Sequence, residues 1–229
     1  MWKRIWRLPF RATERFARLA ALVAAGLFAT GTAGCESHTG GSAAPTRHPD
    51  PAEPVPGIAA TLPDHIPPNA LACVVTPTGG GEPTEVTVSD PAAPRITIAV
   101  PEGWTSTAGS GDTPLRLSGP DTLAATVSIA ATDQPPESAF LRYTAGVGGS
   151  LPRIKFSVTG SPFCGYSSQR LAGTLQAPSG GIDFADRIAH IWTNTTQYLV
   201  AIHLEAHAGA PGFDAAKSLL TQDFAVVIP

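Results

Sequence analysis

The chain has 229 residues, with 15 Lys and Arg against 18 Asp and Glu and a formal net charge of −3. Charged residues make up 14% of it, well under the roughly 25% usual in soluble proteins, and Gly and Pro number 23 each. Together these exclude an all-helical bundle, give a nucleic-acid partner no electrostatic support, and leave room for one folded domain plus tails.

Residues 1–34 read as a targeting segment. Lys3, Arg4, Arg7, Arg11, Arg15 and Arg18, with the single acid Glu14, precede an apolar run from Leu19 to Thr30. A basic n-region, an apolar h-region and small residues after it make a secretory signal. The run is short of the ~20 apolar residues that span a bilayer. Ala33-Gly34-Cys35 resembles a bacterial lipobox, in which the cysteine becomes the acylated N-terminus. Thr32 stands where that pattern usually has an aliphatic residue, so ordinary cleavage after Ala33 or Gly34 is the competing reading. Removing residues 1–34 takes away six basic residues and one acid, which leaves 9 against 17 and a net charge of −8. An acidic mature chain is not held on anionic lipid by a polybasic patch, so attachment rests on the acyl chains.

Residues 35–69 are expected to form a Pro/Gly-rich tether, with Pro45, Pro49, Pro51, Pro54, Pro56, Pro63, Pro67 and Pro68 among small and polar residues. Such a stretch buries too little apolar surface to order itself. His38, His48 and His65 read as solvated tether histidines.

Residues 70–229 are expected to be a single α+β domain. Alternating or β-rich runs predict strands at about 71–76, 95–100, 115–118, 123–131, 153–159, 166–176, 184–193, 197–206 and 224–228. Helical spacing predicts helices over about 137–147, through Phe140, Leu141 and Tyr143, and over about 213–224, through Phe213, Ala216, Leu219 and Leu220. Pro211 and Asp214 suit the N-terminal end of the second. A largely antiparallel sheet with two helices is the layer arrangement these elements imply.

If Cys35 is acylated, Cys73 and Cys164 remain as an even pair in an exported protein, where thiols oxidise. A bridge between them would close a loop of about 90 residues and constrain the unfolded chain by at most about 4–5 kcal/mol. Two buried free thiols are the alternative.

The polar residues concentrate between Phe184 and Ala206. A turn at Thr193-Asn194-Thr195-Thr196 pairs Trp192 with Gln197 and so sets Asp186 opposite His203. One side of the ribbon, Ala185, Arg187, Ala189 and Ile191 with Tyr198, Val200, Ile202 and Leu204, is the more apolar and is expected to face the main core. The other carries Phe184, Asp186, Ile188, His190 and Trp192 with Gln197, Leu199, Ala201, His203 and Glu205. Asp186, His190, Trp192 and His203 are therefore the candidate pocket residues. Asp186–His203 also reads as a cross-strand pair that holds register, worth about 0.2–1 kcal/mol.

No Gly-x-Ser-x-Gly elbow, His-Glu-x-x-His, phosphate loop or Cys-x-x-Cys occurs. The scattered His and acidic residues match no metal-ligand spacing. No catalytic residue, metal or cofactor is expected.

Ile96-Thr97-Ile98-Ala99-Val100-Pro101-Glu102-Gly103-Trp104 follows the signal, cysteine and tether. Gly165-Tyr166-Ser167-Ser168-Gln169-Arg170-Leu171-Ala172-Gly173-Thr174 and Tyr198-Leu199-Val200 come later in the same order. This set resembles the actinobacterial LpqN/LpqT-type lipoproteins over roughly residues 94–229. The chain departs from that pattern in lacking Pro after Gly165-Tyr166 and in having Cys164 before it. The resemblance implies a PsbP-like α/β/α sandwich, an antiparallel sheet between helices, with no catalytic residues to carry over.

The expectation is a lipid-anchored, non-enzymatic protein at the outer face of the cell membrane or in the cell envelope. It would be a monomer on an N-terminal acyl anchor, binding a protein or an envelope lipid or glycolipid. The alternatives are a secreted form, an envelope hydrolase using the Asp186/His190/His203 face, and a structural role with no small ligand.

Overall fold

The computed structural model describes residues 54–60, 67, 69–75, 78–148, 154–177 and 180–229. The signal segment, Cys35 and the histidines His38, His48 and His65 lie outside the described residues. In chain order the elements are β1 (Leu71–Cys73), β2 (Glu82–Val86), β3 (Arg95–Val100), β4 (Thr105–Ser110), β5 (Thr113–Ser118), β6 (Ala124–Thr132) and α1 (Pro136–Gly148). They continue with β7 (Ile154–Gly160), β8 (Ser167–Ala177), β9 (Gly180–Trp192), β10 (Gln197–His207), α2 (Phe213–Leu220) and β11 (Ala225–Val227).

The strands form two antiparallel sheets, one of seven strands in the order β4-β5-β6-β10-β9-β8-β7 and one of four in the order β1-β11-β3-β2. The fold is α+β, and the large antiparallel sheet has a helix against each face as expected, with a second, four-stranded sheet that the sequence pattern does not reveal. Among the described residues, α1 and the segment 54–60 cover one face of the large sheet. On the other face the small sheet and α2 share a core with it, in which Ile96, Ile98 and Val226 meet Val127, Ile129, Val200, Ile202 and Leu220. Strand pairing between segments far apart in sequence is what divides them, and local alternation carries no mark of it.

The apolar side of the β9–β10 ribbon faces this core as expected: Ala189, Ile191, Tyr198, Val200, Ile202 and Leu204 all lie in it. Its fully buried exception is Arg187, whose Nη2 donates to the Asp223 carboxylate (2.6 Å) and the Ser161 carbonyl (3.0 Å), while its guanidinium lies over the Phe163 ring. The opposite face carries a smaller cluster of Phe140 from α1 with Leu171, Phe184, Ile188 and Ala201.

The second helix stops at Leu220, short of the expected 224. The Thr221 N–H and hydroxyl both return to the Lys217 carbonyl, at 3.0 and 2.8 Å. Phe224 leaves the helix and packs edge-on against Phe163, with ring centroids 4.9 Å apart.

Cys73 on β1 and Cys164 are joined by a disulfide, with Cα atoms 5.6 Å apart. Cys164 (φ 50°) and Gly165 (φ 80°) are the central pair of a two-residue turn between Phe163 and Tyr166. Positive φ at both central positions is the condition for a tight hairpin turn whose twist suits its strands.

Residues 54–60, read from the sequence as tether, lie against the large sheet. The Ser168 N–H donates to the Gly57 carbonyl (2.9 Å), Gln169 Nε2 to the Pro56 carbonyl (2.8 Å), and the Ala59 N–H to Ser167 Oγ (2.9 Å). Val55 and Ile58 pack on the Phe140–Leu171–Ile188 cluster. Prolines that stiffen the strap lower the cost of ordering it, and three hydrogen bonds satisfy backbone that composition alone assigns to solvent.

Candidate functional site

The β9–β10 hairpin has the register its turn dictates. Thr193 N–H and hydroxyl close on the Thr196 carbonyl (3.0 and 3.1 Å), Asn194 takes the left-handed conformation (φ 68°), Gln197 faces Trp192 and His203 faces Asp186. Asn is among the residues that tolerate that conformation, which makes this four-residue turn legible.

Asp186 is completely buried. Its Oδ1 accepts from His203 Nδ1 at 2.5 Å and from the Tyr143 hydroxyl at 3.1 Å, while Oδ2 is buried without a hydrogen-bond partner. His203 Nε2 lies 3.5 Å from Glu205 Oε2, and its ring stacks on Phe184 at 6.4 Å. Burial lowers the basicity of His203, but the hydrogen bonds and charges of Asp186 and Glu205 outweigh it and push its pKa up to about 10. At neutral pH the ring is an imidazolium whose two N–H groups both point at carboxylates. The hydrogen bond from His203 holds Glu205 below the usual carboxylate range despite its partial burial. Burial, then the charge of Asp186 and the bond to it, push the Tyr143 hydroxyl far above its ordinary value.

A general base needs a free lone pair within reach of the proton it takes, and the imidazolium has none. In the sequence Tyr143 marks only the helical stripe of α1, with Phe140 and Leu141. Its spacing from Phe140 places it on the sheet-facing side, and a buried tyrosine hydroxyl wants a partner; those two signals together point at a polar group beneath the helix.

The other two candidate residues are not gathered with this pair. His190 stands four residues from Asp186, about 13 Å along the strand. It is buried, and its Nε2 donates to the Gln134 carbonyl at 2.9 Å. Burial pulls its pKa below the ordinary histidine value, with that hydrogen bond acting in the opposite direction. Trp192 is half-buried beyond it at the end of β9. Among the described residues no group of three or more His, Cys, Asp or Glu is placed to hold a metal ion, and no helix is long and apolar enough to cross a membrane.

No protein-family model matches the chain, and no curated protein matches it by sequence. Solved structures do resemble it. LpqN of Mycobacterium tuberculosis, described as involved in cell envelope biogenesis, matches with a TM-score of 0.51 at 19% identity, over 64% of this chain and 91% of that one. A protein of unknown function from Pseudomonas aeruginosa, PA94, described as a putative regulator, matches with a TM-score of 0.36 at 13% identity, over 62% of this chain and 99% of that one. At such identity the likeness to LpqN is one of fold.

Proposed function

We propose that the chain is a non-enzymatic, lipid-anchored cell-envelope protein that binds a protein or an envelope lipid or glycolipid. The observation that carries the non-enzymatic part is the occupied imidazolium of His203, with Asp186 sealed beneath it by Tyr143. The envelope setting draws on the signal and cysteine at the N-terminus and on the fold shared with LpqN, a protein of cell envelope biogenesis. Native mass spectrometry of the protein taken from its own envelope should find it carrying a protein, lipid or glycolipid partner. Recovery as a bare monomer under those conditions would count against a binding role.

The anchor is tested separately. Cys35→Ala should release the protein from membranes and abolish incorporation of radiolabelled fatty acid. A wild-type chain that takes up no label would remove the acyl anchor and leave the secreted alternative.

A further inference from the structure

Among the described residues, β1, β2, β4 and β7 end their sheets. Three of them are poorly suited to extension. β1 is three residues long, β2 carries Pro83 and two glutamates, and β4 offers no large apolar side chain. β7 runs for seven residues without proline, and Ile154, Phe156 and Val158 alternate with Lys155 and Ser157. Its ladder with β8 is regular from Ile154–Leu175 to Gly160–Gln169, and the Ser161 N–H donates to the Ser168 carbonyl (2.9 Å) in the same register. In an antiparallel pair, residues bonded to the partner strand alternate with residues that turn their N–H and C=O away from it. Counting back from Ser161, Thr159, Ser157 and Lys155 address β8, while Ile154, Phe156 and Val158 direct theirs outward, to an edge that no other described strand pairs with. Phe156 on this edge is 37% exposed, although its ring reaches Phe184 across Gly173, with centroids 6.3 Å apart.

We propose that β7 pairs with β7 of a second copy of this chain, antiparallel and with Phe156 opposite its counterpart, in place of the monomer that the sequence suggests. A two-fold pairing needs a strand that matches itself reversed. Ile154-Lys155-Phe156-Ser157-Val158 does so, reading apolar, polar, aromatic, polar, apolar in either direction. Centred on Phe156, the outward-directed residues meet one another: Ile154 faces Val158 and Phe156 faces Phe156, with about six main-chain hydrogen bonds and an aromatic cross-strand pair. Lys155 faces Ser157, so no like charges stand directly opposite. The neighbouring registers are worse. Centring on Lys155 sets two ammonium groups face to face. Centring on Ser157 brings Ile154 opposite Gly160, where Gly57 already fills the face; a Cβ on Gly160 would lie 2.5 Å from the Gly57 nitrogen.

The occupant is a second copy because the symmetry also suits the way the chain enters the fold. The two-fold axis of such an edge pairing stands perpendicular to the sheet, so both copies present α1 and residues 54–60 on the same side. From Cys35 to Pro54 the chain can span about 60 Å when extended, so two anchored copies can reach this pairing from one membrane. Tethering raises the local concentration into the millimolar range, which lets a short interface assemble there while remaining weak in solution.

The test uses the exported chain with Cys35→Ala, purified and studied at up to ~1 mM, the range that tethering imposes. Lys155→Cys and Ser157→Cys chains, mixed and oxidised, should form a disulfide-linked dimer, since the two positions face each other with Cα atoms about 4.5 Å apart. Either variant alone should give at least tenfold less, because its two cysteines stand on a diagonal. In sedimentation equilibrium the parent chain should dimerise reversibly. Val158→Pro removes an outward N–H that the ladder with β8 does not use, as edge strands tolerate, and should weaken that dimer at least tenfold while the chain melts as one folded domain. The cross-linking stands as an independent measurement if Val158→Pro does not fold. A parent chain that stays monomeric at ~1 mM would overturn the proposal, as would a folded Val158→Pro chain that dimerises as well as the parent. Cross-linking of Ser157→Cys alone as efficient as that of the mixture would overturn the register, and with it the pairing argued here. A wild-type chain that takes up no fatty-acid label, or that carries no envelope partner, leaves these solution measurements unaffected, so the two readings fail separately.

Discussion

Cys73→Ala should lower the unfolding free energy of the domain by about 2–5 kcal/mol, measured by urea denaturation of unreduced protein. The bridge joins residues 91 apart in sequence. Its loop therefore restrains much of the unfolded chain. Its native-state role is equally specific. β1 is three residues long and, among the described residues, pairs only with β11, itself three residues long. Cys73 is nearly inaccessible at 1% and ties that short edge strand to the turn leading into β8 of the large sheet. Cys73 is the better position for the test, because Cys164 adopts φ 50° and alanine there adds a backbone cost of its own. Reduction of the wild type should reproduce most of the loss. A change below about 1 kcal/mol in both experiments would show that the small sheet holds without its staple.

The parts of this fold that were legible in the sequence are those where one face is buried and the other is not. β3 shows its alternation in Ile96 and Ile98, and β9 and β10 carry theirs over a turn whose residues set the register. The strands that escaped were edges. β2 reads Glu-Pro-Thr-Glu-Val and β4 reads Thr-Ser-Thr-Ala-Gly-Ser. Each terminates its sheet, where proline and polar residues are tolerated and even useful against unwanted pairing. An edge strand mostly exposed on both faces has no alternation to read. The strap escaped for a related reason. Its composition is that of a solvated linker, and only Val55 and Ile58 mark it as able to pack. At the candidate site, opposing residues on adjacent strands were readable, because pairing within a hairpin is local. The closure by Tyr143 was not, since it depends on where α1 lies across the sheet.

His203→Gln should destabilise the domain by about 2–4 kcal/mol at pH 6, and Asp186→Asn by about half as much. A cross-strand pair on an open face is worth far less, ~0.2–1 kcal/mol, and burial makes the difference here. Asp186 has no exposed surface, while the His203 side chain is 29% exposed. Removing the imidazolium leaves a carboxylate out of water with only the Tyr143 hydroxyl to compensate it, the situation in which one-sided loss of a buried pair is most costly. Asp186→Asn removes that charge and leaves His203 with Glu205, so its cost is smaller. The double variant should therefore lose less than the two singles added together, because neither charge is stranded. The effect has a definite pH sign. The His203 pKa is raised from 6.5 in the unfolded chain to about 10 in the fold. Its contribution is then fully present below about pH 6.5, shrinks as pH rises through that interval, and is lost above about 10. The stability gap between wild type and His203→Gln should be widest at pH 6 and small at pH 10. A gap that stays constant across this range would mean that His203 acts by packing on Phe184 and not by charge. Should Asp186→Asn prove as stable as the wild type while partner binding collapses, the buried pair would belong to a binding or catalytic surface after all.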